Sequence, residues 1–224
     1  MLLAVSCPGC GTPGGSLCEG CLERLRPAPV LPSPLGVDEC LALLAYEGPG
    51  RELVARLKYR NHRSGLGGLG AAMATLVTVP DGFDVLTWAP TTPARRRERG
   101  FDQAELLARA ASRHLGLRVR RLLERPPGPA QTGRSLAERR DGPHFRARLA
   151  IPGWSVLVVD DVVTSGSTAS AAAWALRRAG AGRVTVLAAA RTPRPGPPAP
   201  AYTAGVAYGS VVASRCQSQA KRPT

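Results

Sequence analysis

Val156-Leu157-Val158-Val159-Asp160-Asp161-Val162-Val163-Thr164-Ser165-Gly166-Ser167-Thr168 is the stretch on which the reading of this chain turns. The run 156–160 predicts a strand that is apolar on both faces, the pattern of a parallel sheet. Asp160 and Asp161 stand at its carboxyl end, where open α/β sheets receive ligands. A small loop of hydroxyls and glycine follows and opens a helix predicted over 166–180. Such a loop can aim backbone N–H groups and several hydroxyls at one phosphate. Gly166 lets the main chain approach closely, and the helix adds its positive end. Two acids beside a phosphate cradle suit a ligand with vicinal hydroxyls and a phosphate, as a ribose 5-phosphate has. A receiver domain can also carry Val-Val-Asp-Asp, but near its start and without this loop. A purely structural strand has no need of two adjacent acids at its end.

The stretch resembles the phosphoribosyl pyrophosphate (PRPP) motif of type I phosphoribosyltransferases, an apolar strand, two acids and a T-x-G-x-T-like loop. The resemblance implies that Asp160 and Asp161, the candidate catalytic pair, hold the ribose 2- and 3-hydroxyls. Val162, Val163, Thr164, Ser165, Gly166, Ser167 and Thr168 then form the PRPP-binding loop around the 5-phosphate. Mg2+ is the implied companion of PRPP, held mostly by the ligand with both acids nearby.

Outward from this point, strands and helices alternate. Strands are predicted at 41–46, 84–88, 118–123 and 183–190, and helices at 51–58, about 66–79 and 102–115. In the last of these helices Leu106, Leu107, Ala110, Ala111 and Leu115 make the buried stripe. The alternation argues an α/β fold: a parallel sheet flanked by helices, of the type I phosphoribosyltransferase kind, with a small N-terminal zinc-ribbon-like unit. Residues 1–36 form that unit and a Pro-rich linker, 37–192 the main domain, and 193–224 a Pro-rich, basic tail expected to be poorly ordered.

Cys7-x-x-Cys10 and Cys18-x-x-Cys21 are two knuckles separated by seven residues. Two such pairs can complete a tetrahedral zinc site with four thiolates. Disulfides or a redox pair are the alternatives. Met1 to Val5 lack a charged region and are too short for a secretory signal, so a reducing, cytoplasmic setting is expected, which favours structural Zn2+. Cys40 and Cys216 read as ordinary small residues.

The 224-residue chain carries 30 basic and 16 acidic side chains, a formal charge of +14. Only Lys58 and Lys221 among the basic residues are lysines. Between residues 94 and 148 fifteen arginines face six acids, a field that attracts polyanions. Pyrophosphate, nucleic acid and plain solvation are its three readings. At 4% the aromatic content supplies few stacking platforms for single strands. No run of about 18 apolar residues occurs, so no membrane span is expected.

Three further segments narrow the resemblance to the ComF competence-protein family. Leu57-Lys58-Tyr59-Arg60-Asn61 is similar to its L-K-Y-x-G turn. Arg99-Gly100-Phe101-Asp102-Gln103-Ala104 is similar to its R-G-F-N-Q-A, with Asp102 where Asn is usual. Gln131-Thr132-Gly133-Arg134-Ser135-Leu136-Ala137-Glu138-Arg139-Arg140 is similar to its Q-T-x-L-S-x-x-x-R. From these come the candidate pyrophosphate and loop residues Lys58, Tyr59, Arg99, Gln131, Arg134, Arg139 and Arg140. The resemblance implies a role in DNA uptake during natural transformation, by transferring or sensing phosphoribosyl groups. The alternative is a non-catalytic accessory or single-stranded-DNA-binding factor of a DNA-import machine. Implied partners are PRPP and, beyond it, single-stranded DNA or the helicase and recombination mediator proteins of that machine. Association as a homodimer is carried as an expectation.

Overall fold

The computed structural model describes residues 7, 10–13, 18–56, 64–78, 82–126 and 143–193. After a short helix α1 (Glu19–Leu22) come β1 (Glu39–Ala45), α2 (Gly48–Arg56), α3 (Ser64–Ala74) and β2 (Val85–Trp88). Then follow α4 (Pro93–Arg99), α5 (Gln103–Leu115), and two short strands, β3 (Leu123–Glu124) and β4 (Arg146–Ala147). The chain continues through β5 (Ser155–Val163), α6 (Ser167–Arg178) and β6 (Arg183–Arg191). The four long strands form one sheet in the order β1-β6-β5-β2, every pair parallel. The central strands β5 and β6 are almost continuously apolar and buried, because helices cover both faces.

Leu53 and Val54 of α2, Leu66, Leu69 and Met73 of α3 and Leu107, Ala108 and Ala111 of α5 pack over one face. Ala169, Ala172, Ala173 and Leu176 of α6, with Leu122, Leu123 and Ile151, cover the other. The glycines of α3 serve this packing. A side chain at Gly70 would put its Cβ 2.4 Å from Cβ of Ala110, so α3 and α5 approach at a distance only hydrogen allows. On α5 the buried stripe is Ala104, Leu107, Ala108, Ala110 and Ala111, while Leu106 and Leu115 are partly buried at its margin.

Three segments differ from expectation. The strand expected over 118–123 is one bridge, Val119 beside Leu86, held by Leu86 N donating to Arg118 O and Arg120 N to Leu86 O. Leu117 and Val119 pack on the core, while Arg118 and Arg120 alternate with them. Leu122 N turns to the Thr87 hydroxyl instead, and Leu123 and Glu124 leave to pair antiparallel with β4. Secondly, α4 was not foreseen: Thr92 caps it by accepting from Arg95 N, and Pro93 begins it. Thirdly, the Pro-rich segment 26–36 is paired: Pro27 bridges Leu44 antiparallel, Ala28 N donates to Leu43 O, and Ala45 N to Arg26 O. It covers the outer edge of β1, which would otherwise present unpaired backbone.

Candidate functional site

β5 runs three residues further than the sequence predicts, so Asp160 and Asp161 lie within it rather than at its end. Asp160 is 7% exposed, and Asp161 is partly buried. Each turns one carboxylate oxygen onto the backbone: Asp161 N donates to Asp160 Oδ1 and Val162 N to Asp161 Oδ1, both at 2.8 Å. Burial pushes the Asp160 carboxyl well above the usual carboxylate range, and the Asp161 charge adds to the rise. Loss of water disfavours the ion, and so does a like charge close by. Either a cation or ligand hydroxyls that donate to the pair would relieve both effects.

Past Val163 the chain enters the loop and turns sharply. Gly166 has φ of 82° and caps α6, accepting from Ser170 N at 2.8 Å. Ser165 and Ser167 place their hydroxyls 3.1 Å apart, and Thr164, Ser165 and Ser167 are exposed. Asp160, Val163, Thr164, Gly166, Ser167 and Thr168 line one small hollow at the carboxyl end of the sheet. The hollow lies at the N-terminus of α6, the end of a helix that suits an anion.

Arg125 is linked to this site by charge, though no sequence pattern singles it out. It is half-buried, with its guanidinium 5.6 Å from the centre of the Phe145 ring. Burial lowers its proton affinity, Arg95 lowers it further, and Asp160 raises it. The charges of Arg95, Arg125 and Asp160 thus act on one another. Nothing local in the run Leu122-Leu123-Glu124-Arg125 distinguishes this arginine from its neighbours.

Arg99 ends α4 and is partly buried; Gly100 stops that helix in the left-handed conformation. Phe101 enters the core and Asp102 caps α5, accepting from Thr91 N at 2.9 Å and Glu105 N at 3.5 Å. Burial pushes the Asp102 carboxyl up, against these two bonds. Aspartate fills the capping role as asparagine would. Lys58, Tyr59, Gln131, Arg134, Arg139 and Arg140 lie outside the described residues.

The ligand atoms of Cys7, Cys10, Cys18 and Cys21 all lie within 4.8 Å of one another. Cys18 N donates to Cys7 Sγ at 3.3 Å, and Cys10 and Cys18 sulfurs are 3.6 Å apart. Tetrahedral bonds of about 2.3 Å separate thiolates by roughly 3.8 Å, so this group could hold one metal ion. Burial pushes the Cys21 thiol up to about 12, with the neighbouring thiols adding to the rise. A divalent cation among them reverses that balance, because it binds the thiolate.

These features define a parallel α/β protein with an acidic strand-end site beside a helix N-terminus and a cluster of four thiols. No family model matches the chain. It is 30% identical over 210 residues to the DNA utilization protein YhgH of Salmonella typhi, covering 83% of this chain and 84% of that protein. Identity to the protein of the same name from Escherichia coli (strain K12) is 29% over 204 residues, at the same coverage. The chain belongs to the family of DNA utilization protein YhgH. Among solved structures it is similar to the glutamine PRPP amidotransferase from B. subtilis complexed with ADP and GMP, at 24% identity and a TM-score of 0.44. That match covers 59% of this chain and 30% of the other. Among the described residues no helix is long and apolar enough to cross a membrane.

Proposed function

We propose that this protein binds PRPP at the carboxyl end of β5 and acts in the use of DNA as a phosphoribosyltransferase-like protein of the ComF type. One observation carries the reading: a buried, proton-favouring Asp160 beside Asp161 leads within six residues to a left-handed Gly166 and a hydroxyl loop at the N-terminus of α6. Asp160 and Asp161 accept from the ribose hydroxyls, and Thr164 to Thr168 surround the 5-phosphate. Mg2+ fits the same acids, since hard cations take carboxylate oxygens and offset their mutual repulsion. When bound it supplies charge neutralisation for pyrophosphate. The charge of Arg125, which interacts with Asp160 and Arg95, would attract the pyrophosphate. Zn2+ is the metal proposed for the four cysteines, as a structural ion that ties together a segment with no core of its own.

Calorimetry with PRPP and Mg2+ tests this reading. Replacing both acids, Asp160→Asn with Asp161→Asn, removes two charge-assisted contacts of about 1.5–3 kcal/mol each. Affinity then falls by at least about a hundredfold while the circular dichroism of the fold is retained. An unchanged affinity rejects the site. Pyrophosphate release with a panel of nucleobases and ammonia separates transfer from sensing.

A direct contact with DNA is a second reading, favoured by α4. None of its residues is buried, and Arg95, Arg96, Arg97 and Arg99 project from seven positions. Arg96 also pairs with Glu105 at 3.5 Å. Binding through phosphates alone predicts weak, sequence-indifferent association with single strands. For three or four contacts the logarithm of affinity falls with that of salt at a slope of about −2 to −3. Fluorescence anisotropy across a salt series measures it, and a flat or sequence-selective response rejects the reading.

A further inference from the structure

The loop at Gly166 has a neighbour from the amino-terminal segment. A side chain at Gly166 would put its Cβ 2.9 Å from Cγ and 3.0 Å from Cβ of Pro34, so the proline lies directly on the loop backbone. Beyond Pro34 the chain turns, with Val37 N donating to Pro34 O at 3.1 Å. A Cβ at Gly36 would then sit 3.4 Å from the Trp174 ring of α6.

Apolar burial does little to hold this segment in place. Val30 is fully exposed and Leu35 is 79% exposed. Between its pairing with β1 at 26–28 and the buried Val37, the segment is tied by Arg191, the last residue of β6 and only 6% exposed. Its backbone lies in register with Ala45 of β1 and Val163 of β5, at the same end of the sheet as the site. Its Nη1 donates to Leu31 O at 2.9 Å and its Nη2 to Pro32 O at 2.6 Å. Every other buried residue of β6 is apolar except Thr185, so a buried guanidinium here needs a reason. A planar fork of donors can hold two successive carbonyls, which a point ammonium cannot. A single residue, Ser33, separates Pro32 from Pro34, and both prolines are stiff, so a clamp at 31–32 acts at 34 with little give.

We propose that Arg191 and Pro34 are positioning residues for the phosphate loop. The guanidinium fixes the carbonyls of Leu31 and Pro32, the stiff segment presses Pro34 onto Gly166, and the 164–168 backbone is held in its ligand-receiving shape. The proposal rests on the reading of 164–168 as a phosphate loop.

The test uses the full-length chain and two variants, Arg191→Lys and Pro34→Ala. Hydrogen exchange of the 164–168 amides is measured without ligand, and ribose 5-phosphate affinity by calorimetry. Each variant is expected to raise loop exchange by about fivefold, the worth of roughly one hydrogen bond. Ribose 5-phosphate should weaken by a similar factor, and core amides at 156–159 and 184–188 should exchange as in the parent. Pro34→Ala leaves the buried cation in place, so the inference stays exposed to refutation if Arg191→Lys fails to fold. Unchanged loop exchange in Pro34→Ala overturns the positioning role. So does exchange rising equally in the core strands, which marks a general structural role, or a faster loop with unaltered affinity. A parent protein that binds no ribose 5-phosphate overturns the phosphate reading itself, whatever the exchange pattern.

Discussion

Asp160 is held in an environment that disfavours its charged form. Burial and the neighbouring Asp161 raise its proton affinity. An acid whose folded value lies above its unfolded one contributes stability in full below the unfolded value, near pH 4. That contribution is lost as pH rises through the folded value. Asp160→Asn removes the ionisable group, and in the absence of ligand it should unfold at a higher temperature than the parent at pH 7. The gap should close as pH falls towards 4. Thermal unfolding across pH checks this, and a variant less stable than the parent at pH 7 would contradict it. The same substitution impairs the site, so stability and binding are expected to move in opposite directions.

Among the elements, α5 shows how one segment can serve both fold and site. Just ahead of its first turn Phe101 enters the core and Asp102 forms the cap, so the approach from α4 to α5 is fixed by packing and by two hydrogen bonds. Asp102→Ala removes both acceptors and should cost about 1–2 kcal/mol. Asp102→Asn keeps one acceptor and should cost less. Urea denaturation of the two variants gives the order, and an asparagine variant less stable than the alanine variant would show that capping is not what the residue does. The α3–α5 contact depends in a different way on Gly70, where the missing side chain sets the separation.

For the whole molecule, the four-thiol unit and the sheet are mechanically joined. A side chain at Gly11 would put its Cβ 2.8 Å from Nη1 of Arg56, so the unit rests against the end of α2. From Cys21 the chain passes into the segment paired with β1 and on to the loop at Gly166. Purified protein should carry about one zinc per chain, the stoichiometry of a closed four-thiolate site. Cys7→Ser with Cys18→Ser should remove it, as read by elemental analysis. Full metal content in that double variant would exclude the site. The circular dichroism of the sheet should survive the loss, since the two apolar clusters do not draw on the cysteines.

The order strand, two acids, hydroxyl loop, helix was legible because each part is coded within a few residues: an apolar run, adjacent charges, a glycine where the main chain turns left-handed. The four-cysteine group was legible for the same reason. The extra length of β5 and the shrinkage of the 118–123 strand were not, because pairing depends on which neighbour offers a free edge. Nor was Arg125 legible as a neighbour of Asp160, nor Arg191 as the partner of carbonyls up to 160 residues away. The amino-acid sequence by itself determined the kind of fold, the order of strand, acids, loop and helix, and the grouping of four cysteines. Tertiary structure alone decided how dry Asp160 is and what presses on Gly166, since desolvation and contact belong to the elements packed around a residue, not to its neighbours along the chain.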